Sequence, residues 1–361
     1  MQLDVLGIGT AQPEHWIEQP AAAEFAAAML GASTEHARTM HMLYRRSGVE
    51  RRGSVLLSAA TSAGRQTFFQ LPTDDADRGP TTADRMLQYS TEAPALAVAA
   101  AERAMDESGV LPEVVTHLIT VSCTGFGSPG FDVVLIEELG LSPDVARTHI
   151  GFMGCQAALN ALRVAAAFIS ADPRACVLVC CAELCSLHFQ YGQEADNQVS
   201  NALFADGAAA IVCGSVPTVS GAWRLVQSGS HLFDGSQDLM TWEIGNNGFV
   251  MKLSNRVPEV ISRQLRSWFE PWLRSGGVSL SEVGSWAIHP GGPRLVSAVG
   301  AALELRSGAD AVSRQILAEC GNMSSPTVLF ILQQLRRQRA QRPCVALAFG
   351  PGLAVEAALF R

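Results

Sequence analysis

The chain has 361 residues, of which 48% are hydrophobic and only 17% charged, enough apolar material for a large buried core and too much for a disordered polypeptide. A net charge of −8 without a basic tract argues against nucleic-acid binding, and no apolar stretch reaches membrane-spanning length without a charge. Nine cysteines are an odd number without framework spacing, and the first residues lack the cationic start of an export signal. The expectation is therefore reduced thiols in a cytoplasm.

In chain order, a short strand is predicted over residues 3–8. A helix follows with Pro20 in its first turn and Gly31 at its end, and a second covers 36–47. Arg38, Arg45, Arg46, Arg51 and Arg52 make this the most basic local region: a solvated face, or a grip for an anionic substrate. Residues 53–82 read as a long loop. A helical pattern then runs over 82–105, where Pro94 should kink or restart it. Strands are predicted at 116–123, 148–150, 174–182 and 208–212, with a helix over 132–139. The unbroken apolar run at 174–182 suits a sheet covered on both faces. Residues 214–222 form a plausible junction. Beyond it come strands near 223–228, 286–288, 344–348 and 353–360, and helices near 258–273, 294–303, 310–321 and 325–337. Strands alternate with helices in both halves, which implies layered α/β architecture.

Three punctuated stretches stand out. The turn Gly151-Phe152-Met153-Gly154 delivers Cys155 to the start of an Ala-rich helix. Unpaired N–H groups there favour negative charge, so the thiol is expected to ionise more easily and act as a nucleophile. A small buried hydrophobe is the competing reading. Strand residues 286–288 carry His289 into a Pro/Gly turn, and Asn322 heads a turn after Gly321. Histidine can take the thiol proton, and the amide and imidazole N–H groups can donate to a developing oxyanion. Asn322 as a simple turn residue is the bland alternative.

These residues, with the stretches 47–52, 124–132, 202–210, 289–293, 321–325 and 349–353, resemble the chalcone-synthase-like type III polyketide synthases of bacterial type, within the thiolase superfamily. The resemblance implies a thiolase-like α/β fold of two similar layered αβαβα halves, residues 1–217 carrying Cys155 and residues 218–361 carrying His289 and Asn322. It also implies a homodimer. Cys155 would accept the acyl group, while His289 and Asn322 would polarise malonyl-CoA and stabilise the carbanion left by decarboxylation. Phe204 matches a phenylalanine between CoA tunnel and cavity. Arg46 matches a basic CoA contact and Arg294 follows the His turn. Met251 stands at a gatekeeper position, Ser128 where chalcone synthases reach across the dimer, and Cys123, Cys185 and His188 where plant enzymes have cavity threonines. Ser324 joins the substrate-binding set. Glu183 is a further carboxylate expected near the site.

The expected activity is acyl-CoA-primed, iterative decarboxylative condensation of malonyl-CoA, followed by cyclisation to alkylpyrones or alkylresorcinols. CoA thioesters would be the substrates, with no bound cofactor or metal. A malonyl-only enzyme making a fused aromatic is the alternative product class. A ketoacyl synthase of the fatty-acid-priming type and a non-catalytic acyl-CoA-binding partner are the alternative functions.

Overall fold

The computed structural model describes residues 3–29, 34–58, 66–74, 76–192, 194–215 and 223–361. Its strands are β1 (Leu3–Ala11), β2 (Trp16–Glu18), β3 (Arg51–Gly53), β4 (His117–Ser122), β5 (Ala146–Gly151), β6 (Val177–Leu184), β7 (Asp206–Gly214), β8 (Trp223–Leu232), β9 (Met240–Gly245), β10 (Gly248–Leu253), β11 (Ser285–Ile288), β12 (Cys344–Gly350) and β13 (Ala354–Phe360). Its helices are α1 (Gln19–Met29), α2 (Thr34–Arg46), α3 (Thr82–Ser108), α4 (Phe131–Leu139), α5 (Ala157–Ala171), α6 (Ala195–Leu203), α7 (Val257–Ser275), α8 (Pro293–Ala302), α9 (Ala311–Cys320) and α10 (Thr327–Arg337).

Among the described residues, nine strands join in the order β11-β12-β13-β8-β1-β7-β6-β4-β5. The pairing directions repeat. In the first half β4–β6 is parallel while β6–β7 and β7–β1 are antiparallel; in the second, β11–β12 is parallel while β12–β13 and β13–β8 are antiparallel. The halves meet at a short β1–β8 ladder, Leu3 opposite Leu225.

Five layers are shared by the two halves rather than repeated in each. Helices α5 and α10 lie in the middle, packed with strand residues from both sides. Helices α3 and α4 cover the outer face of the first half, and α7 and α8 that of the second. The central position explains why α5 is so rich in alanine: small side chains let it sit close to strands from both halves of the sheet. Burying its Leu159, Leu162 and Ile169 contributes roughly 5 kcal/mol or more. That anchors the turn which carries Cys155.

Two sequence expectations change. Helix α3 runs unbroken for 27 residues with Pro94 inside it. Its start is fixed by a capping box between Thr81 and Asp84, and its apolar face packs on β1. The contact is so close that a Cβ on Gly9 would stand 2.1 Å from the Ala100 carbonyl oxygen. Packing of this extent outweighs one hydrogen bond lost to proline. The second change is the β9–β10 hairpin, unpredicted, which forms a wall of the cavity. The expected Gly31 helix stop, residues 216–222 of the expected junction, and parts of the 53–82 loop lie outside the described residues.

Candidate active site

Cys155 sits in a single 3-10 turn, Gly154–Gln156, that leads into α5. The turn depends on Gly154, whose φ is +74° and whose missing Cβ leaves room for Pro351; a Cβ there would come within 2.4 Å of the Pro351 ring. Phe152, just before it, also adopts a left-handed conformation (φ +57°), which costs a bulky residue energy that the surrounding packing must offset. Cys123 braces the turn from β4: its sulfur accepts from the Gly154 N–H at 3.0 Å.

Asn322 is held by its backbone. Its N–H donates to the Leu203 carbonyl, and its carbonyl accepts from the Ala205 N–H, both at 2.9 Å. Its side-chain Oδ1 accepts from the Ser324 N–H at 2.8 Å. This Asx-type contact occupies Oδ1 and leaves the amide NH2 available, and Ser324 and Asn322 both pull the Cys155 thiol pKa down. Ser324 itself has φ +59°.

His289 follows β11, and its N–H donates to the Leu347 carbonyl of β12 at 2.8 Å. Strand β12 then ends at Gly350, packed against Met153 and Gln156 of the cysteine turn. The His289 loop is bounded on its other side by Leu203, the residue bonded to Asn322. The imidazole is 1% exposed, and both of its ring nitrogens lack a partner. Buried polar atoms are almost always paired, so this orphaned imidazole is a candidate contact for a substrate.

Electrostatics overturns one expectation. Burial pushes the Cys155 thiol up to about 11, against the pull of Ser324 and Asn322. Desolvation of the buried sulfur outweighs the hydrogen bonds that pull the other way. Burial likewise pushes His289 down to about 3. Both groups therefore stand neutral in the substrate-free site. Glu183 is fully buried, and burial raises it to about 6. It accepts from Ser325 Oγ at 2.6 Å, Thr124 Oγ1 at 2.7 Å and the Cys123 N–H at 2.9 Å. It thus ties the Asn322 loop to the loop after β4.

A deep, largely apolar cavity opens on Cys155. Phe204, Met251, Cys123, Cys185, His188 and Ser324 all line it. His188 offers it no free polar atom. Its Nε2–H donates to the Thr124 carbonyl at 2.6 Å, and its Nδ1 accepts from the Phe249 N–H at 2.9 Å. The ring stacks on Phe249 at 4.2 Å, and burial pushes its pKa down to about 3. Ser128 is exposed and lies outside this cavity. Arg46, the last residue of α2, and Arg294, in the first turn of α8, are both exposed, and the two helix ends are neighbours: a Cβ on Gly48 would come within 2.9 Å of Pro293.

Among the lining residues that were not anticipated are Trp242 and Phe249 of the hairpin. The signal was present as Asn246-Asn247-Gly248 between two alternating runs, a two-residue hairpin turn. All nine cysteines are free and buried. No described helix is long and apolar enough to cross a membrane.

The profile described as chalcone and stilbene synthases, N-terminal domain, matches residues 2–217, and its C-terminal counterpart matches residues 224–361. An "Alpha-pyrone synthesis polyketide synthase-like Pks18" of Mycobacterium tuberculosis is 35% identical over 288 residues, covering 78% of this chain and 73% of that protein. The 1,3,6,8-tetrahydroxynaphthalene synthase of Streptomyces peucetius subsp. caesius is 33% identical over 273 residues, covering 74% and 72%. Among solved structures, PKS-I of the brown alga Ectocarpus siliculosus superposes with a TM-score of 0.92 at 29% identity, covering 99% of this chain and 98% of that one. The C-terminal type III polyketide synthase domain of Steely1 from Dictyostelium gives 0.91 at 28%, covering 100% and 99%.

Proposed function

The chain belongs to the chalcone and stilbene synthase family and is a type III polyketide synthase, an acyltransferase of the iterative condensing kind; from that premise we propose that Cys155 carries the growing chain, with His289 and Asn322 as its partners. The observation that carries this reading is a buried thiol whose pKa Ser324 and Asn322 both pull down, together with a buried imidazole that leaves both nitrogens open.

The chemistry follows from the neutral resting pair. As the Cys155 sulfur attacks an acyl-CoA carbonyl, its proton passes to His289 and then to the departing CoA sulfur. The S–C bond to the enzyme forms as the S–C bond to CoA breaks. His289, neutral again, keeps one N–H to donate. That N–H and the Asn322 amide together hold the thioester oxygen of malonyl-CoA. The malonyl carboxylate leaves as carbon dioxide, and its electron pair becomes the enolate. The enolate carbon attacks the Cys155 thioester and expels the sulfur as thiolate. Apolar walls favour a step that turns a carboxylate into a neutral gas, and they keep water from the enolate.

For the starter, an alkyl chain giving alkylpyrones or alkylresorcinols fits an apolar cavity whose gatekeeper is the flexible Met251. CoA would approach over Arg46 and Arg294. The substrates are themselves CoA thioesters, so the cycle calls for no resident cofactor or metal, and the setting is cytoplasmic. A homodimer is favoured by the sheet itself. Strand β5 ends it with an open edge, and Phe126 and Met153 stand exposed beside it. Pairing there would bring Ser128 towards the partner's cavity. An acyl-CoA panel with labelled malonyl-CoA tests the starter class: turnover restricted to malonyl or aromatic starters rules the alkyl reading out and leaves the fused-aromatic product class.

A further inference from the structure

The cavity does not end at the reacting corner. Beyond Phe204 it continues beneath α1, between Ala22, Phe25, Leu56, Leu57 and Phe69. Of the polar side chains bordering this arm, Gln66 and Arg52 are paired, while the buried Tyr44 hydroxyl has no hydrogen-bond partner among the described residues. Gln66 exchanges two hydrogen bonds with the Phe69 backbone, both at 2.8 Å, and Arg52 donates to the carbonyls of Asn201 and Phe204. Behind Phe69 the buried Arg85 guanidinium lies 5.3 Å from the ring and donates to the Leu187 and Phe189 carbonyls, which fixes the arm's floor.

Two other directions from Cys155 differ. Towards the hairpin the cavity is closed by Trp242, whose Nε1–H donates to the Cys123 carbonyl at 2.7 Å, and by the His188–Phe249 stack. Towards α6 the lining turns polar, with Asn197, Ser200 and Asn201, on the side where α2 ends at Arg46. That polar branch suits the amides of a pantetheine arm. A saturated chain bound at Cys155 gains most by entering the apolar branch, where each methylene is removed from water.

We infer that the arm beneath α1 is the starter-chain site, and that Leu57 and Phe25 set how long a saturated acyl group the enzyme accepts. This rests on the alkyl-starter reading above, and the test separates the two. Wild type, Leu57→Trp and Phe25→Ala are each given equimolar hexanoyl-, dodecanoyl- and octadecanoyl-CoA with malonyl-CoA, and products are counted by mass spectrometry. The KM for malonyl-CoA and the decarboxylation rate are measured alongside.

In Leu57→Trp the ratio of long-chain to hexanoyl products should fall about tenfold or more, while malonyl-CoA KM and decarboxylation stay at wild-type values. In Phe25→Ala, an opening change at a half-buried site that carries the test if the tryptophan variant misfolds, the ratio should rise. An unchanged ratio in both variants overturns the arm alone. So does an equal rise in KM for every CoA thioester, which would put pantetheine there instead. Wild type that turns over none of the three alkyl starters overturns the starter reading and the arm with it.

Discussion

Cys155 and the aromatic wall line one cavity, yet the proposed partner of that cysteine and the wall treat their polar atoms in opposite ways. In the wall, His188 has both nitrogens bonded to backbone and Trp242 has its N–H bonded to Cys123. At the corner, His289 is as deeply buried as His188 but has neither nitrogen bonded. Burial drives both imidazoles down to about 3, so the charge state does not separate them. Completed hydrogen bonds do. A histidine whose bonds are made shapes the cavity; one whose bonds are left open fits the substrate-facing role proposed for His289.

Breaking the corner should have the largest effect. His289→Gln keeps an amide donor but loses proton transfer, so condensation should fall about 10³-fold. Steady-state product formation checks this; a loss under tenfold would make His289 a wall residue like His188. Asn322→Ala removes one donor to the oxyanion and should cost about 10²-fold in malonyl-CoA decarboxylation. Radiolabelled carbon dioxide release measures it, and an unchanged rate would return Asn322 to the role of a simple turn residue.

The pH dependence of stability sharpens the comparison. His188 and His289 have folded pKa values below their ordinary 6.5, so the fold holds its full stability above that pH. It loses stability as the pH falls towards 3, because the unfolded chain binds the protons. At pH 5.5 each histidine accounts for about 1 kcal/mol of loss relative to pH 7.5. Glu183, raised from 4.5 to about 6, has the opposite sign and offsets about half of one histidine's effect. Urea unfolding at the two pH values should therefore show His289→Gln losing about 1 kcal/mol less than wild type. Equal losses would mean that His289 is solvated in the folded protein.

The smallest effect belongs to the wall. Trp242→Phe deletes one hydrogen bond and leaves the Cys123 carbonyl unpaired, for about 1–2 kcal/mol of stability, with condensation near wild type. A large fall in rate without a fall in urea midpoint would show Trp242 touching the reacting atoms.

The same contrast explains what could be read from the residues beforehand. Cys155, His289 and Asn322 each stand beside Gly or Pro punctuation, and sharp turns at strand and helix ends are visible as sequence. The layered α/β order was visible too, through the apolar run of β6, which is buried along its whole length. The protonation of Cys155 was not visible. A helix start is a local feature, whereas burial of the sulfur depends on elements far along the chain, among them Pro351, which packs against the cysteine turn at Gly154. His188 is polar by composition and inert by contact, because its partners Thr124 and Phe249 arrive from separate elements. The continuity of α3 through Pro94 likewise depends on β1, more than 80 residues away in sequence.

The account stands on a covalent acyl group at one sulfur. Intact-protein mass spectrometry after brief exposure to carbon-13-labelled acyl-CoA, followed by peptide mapping, reads this directly. A single labelled acyl group on Cys155, absent from Cys155→Ala, is the predicted result. Protein that never gains the label, or an adduct that persists in Cys155→Ala, would contradict it.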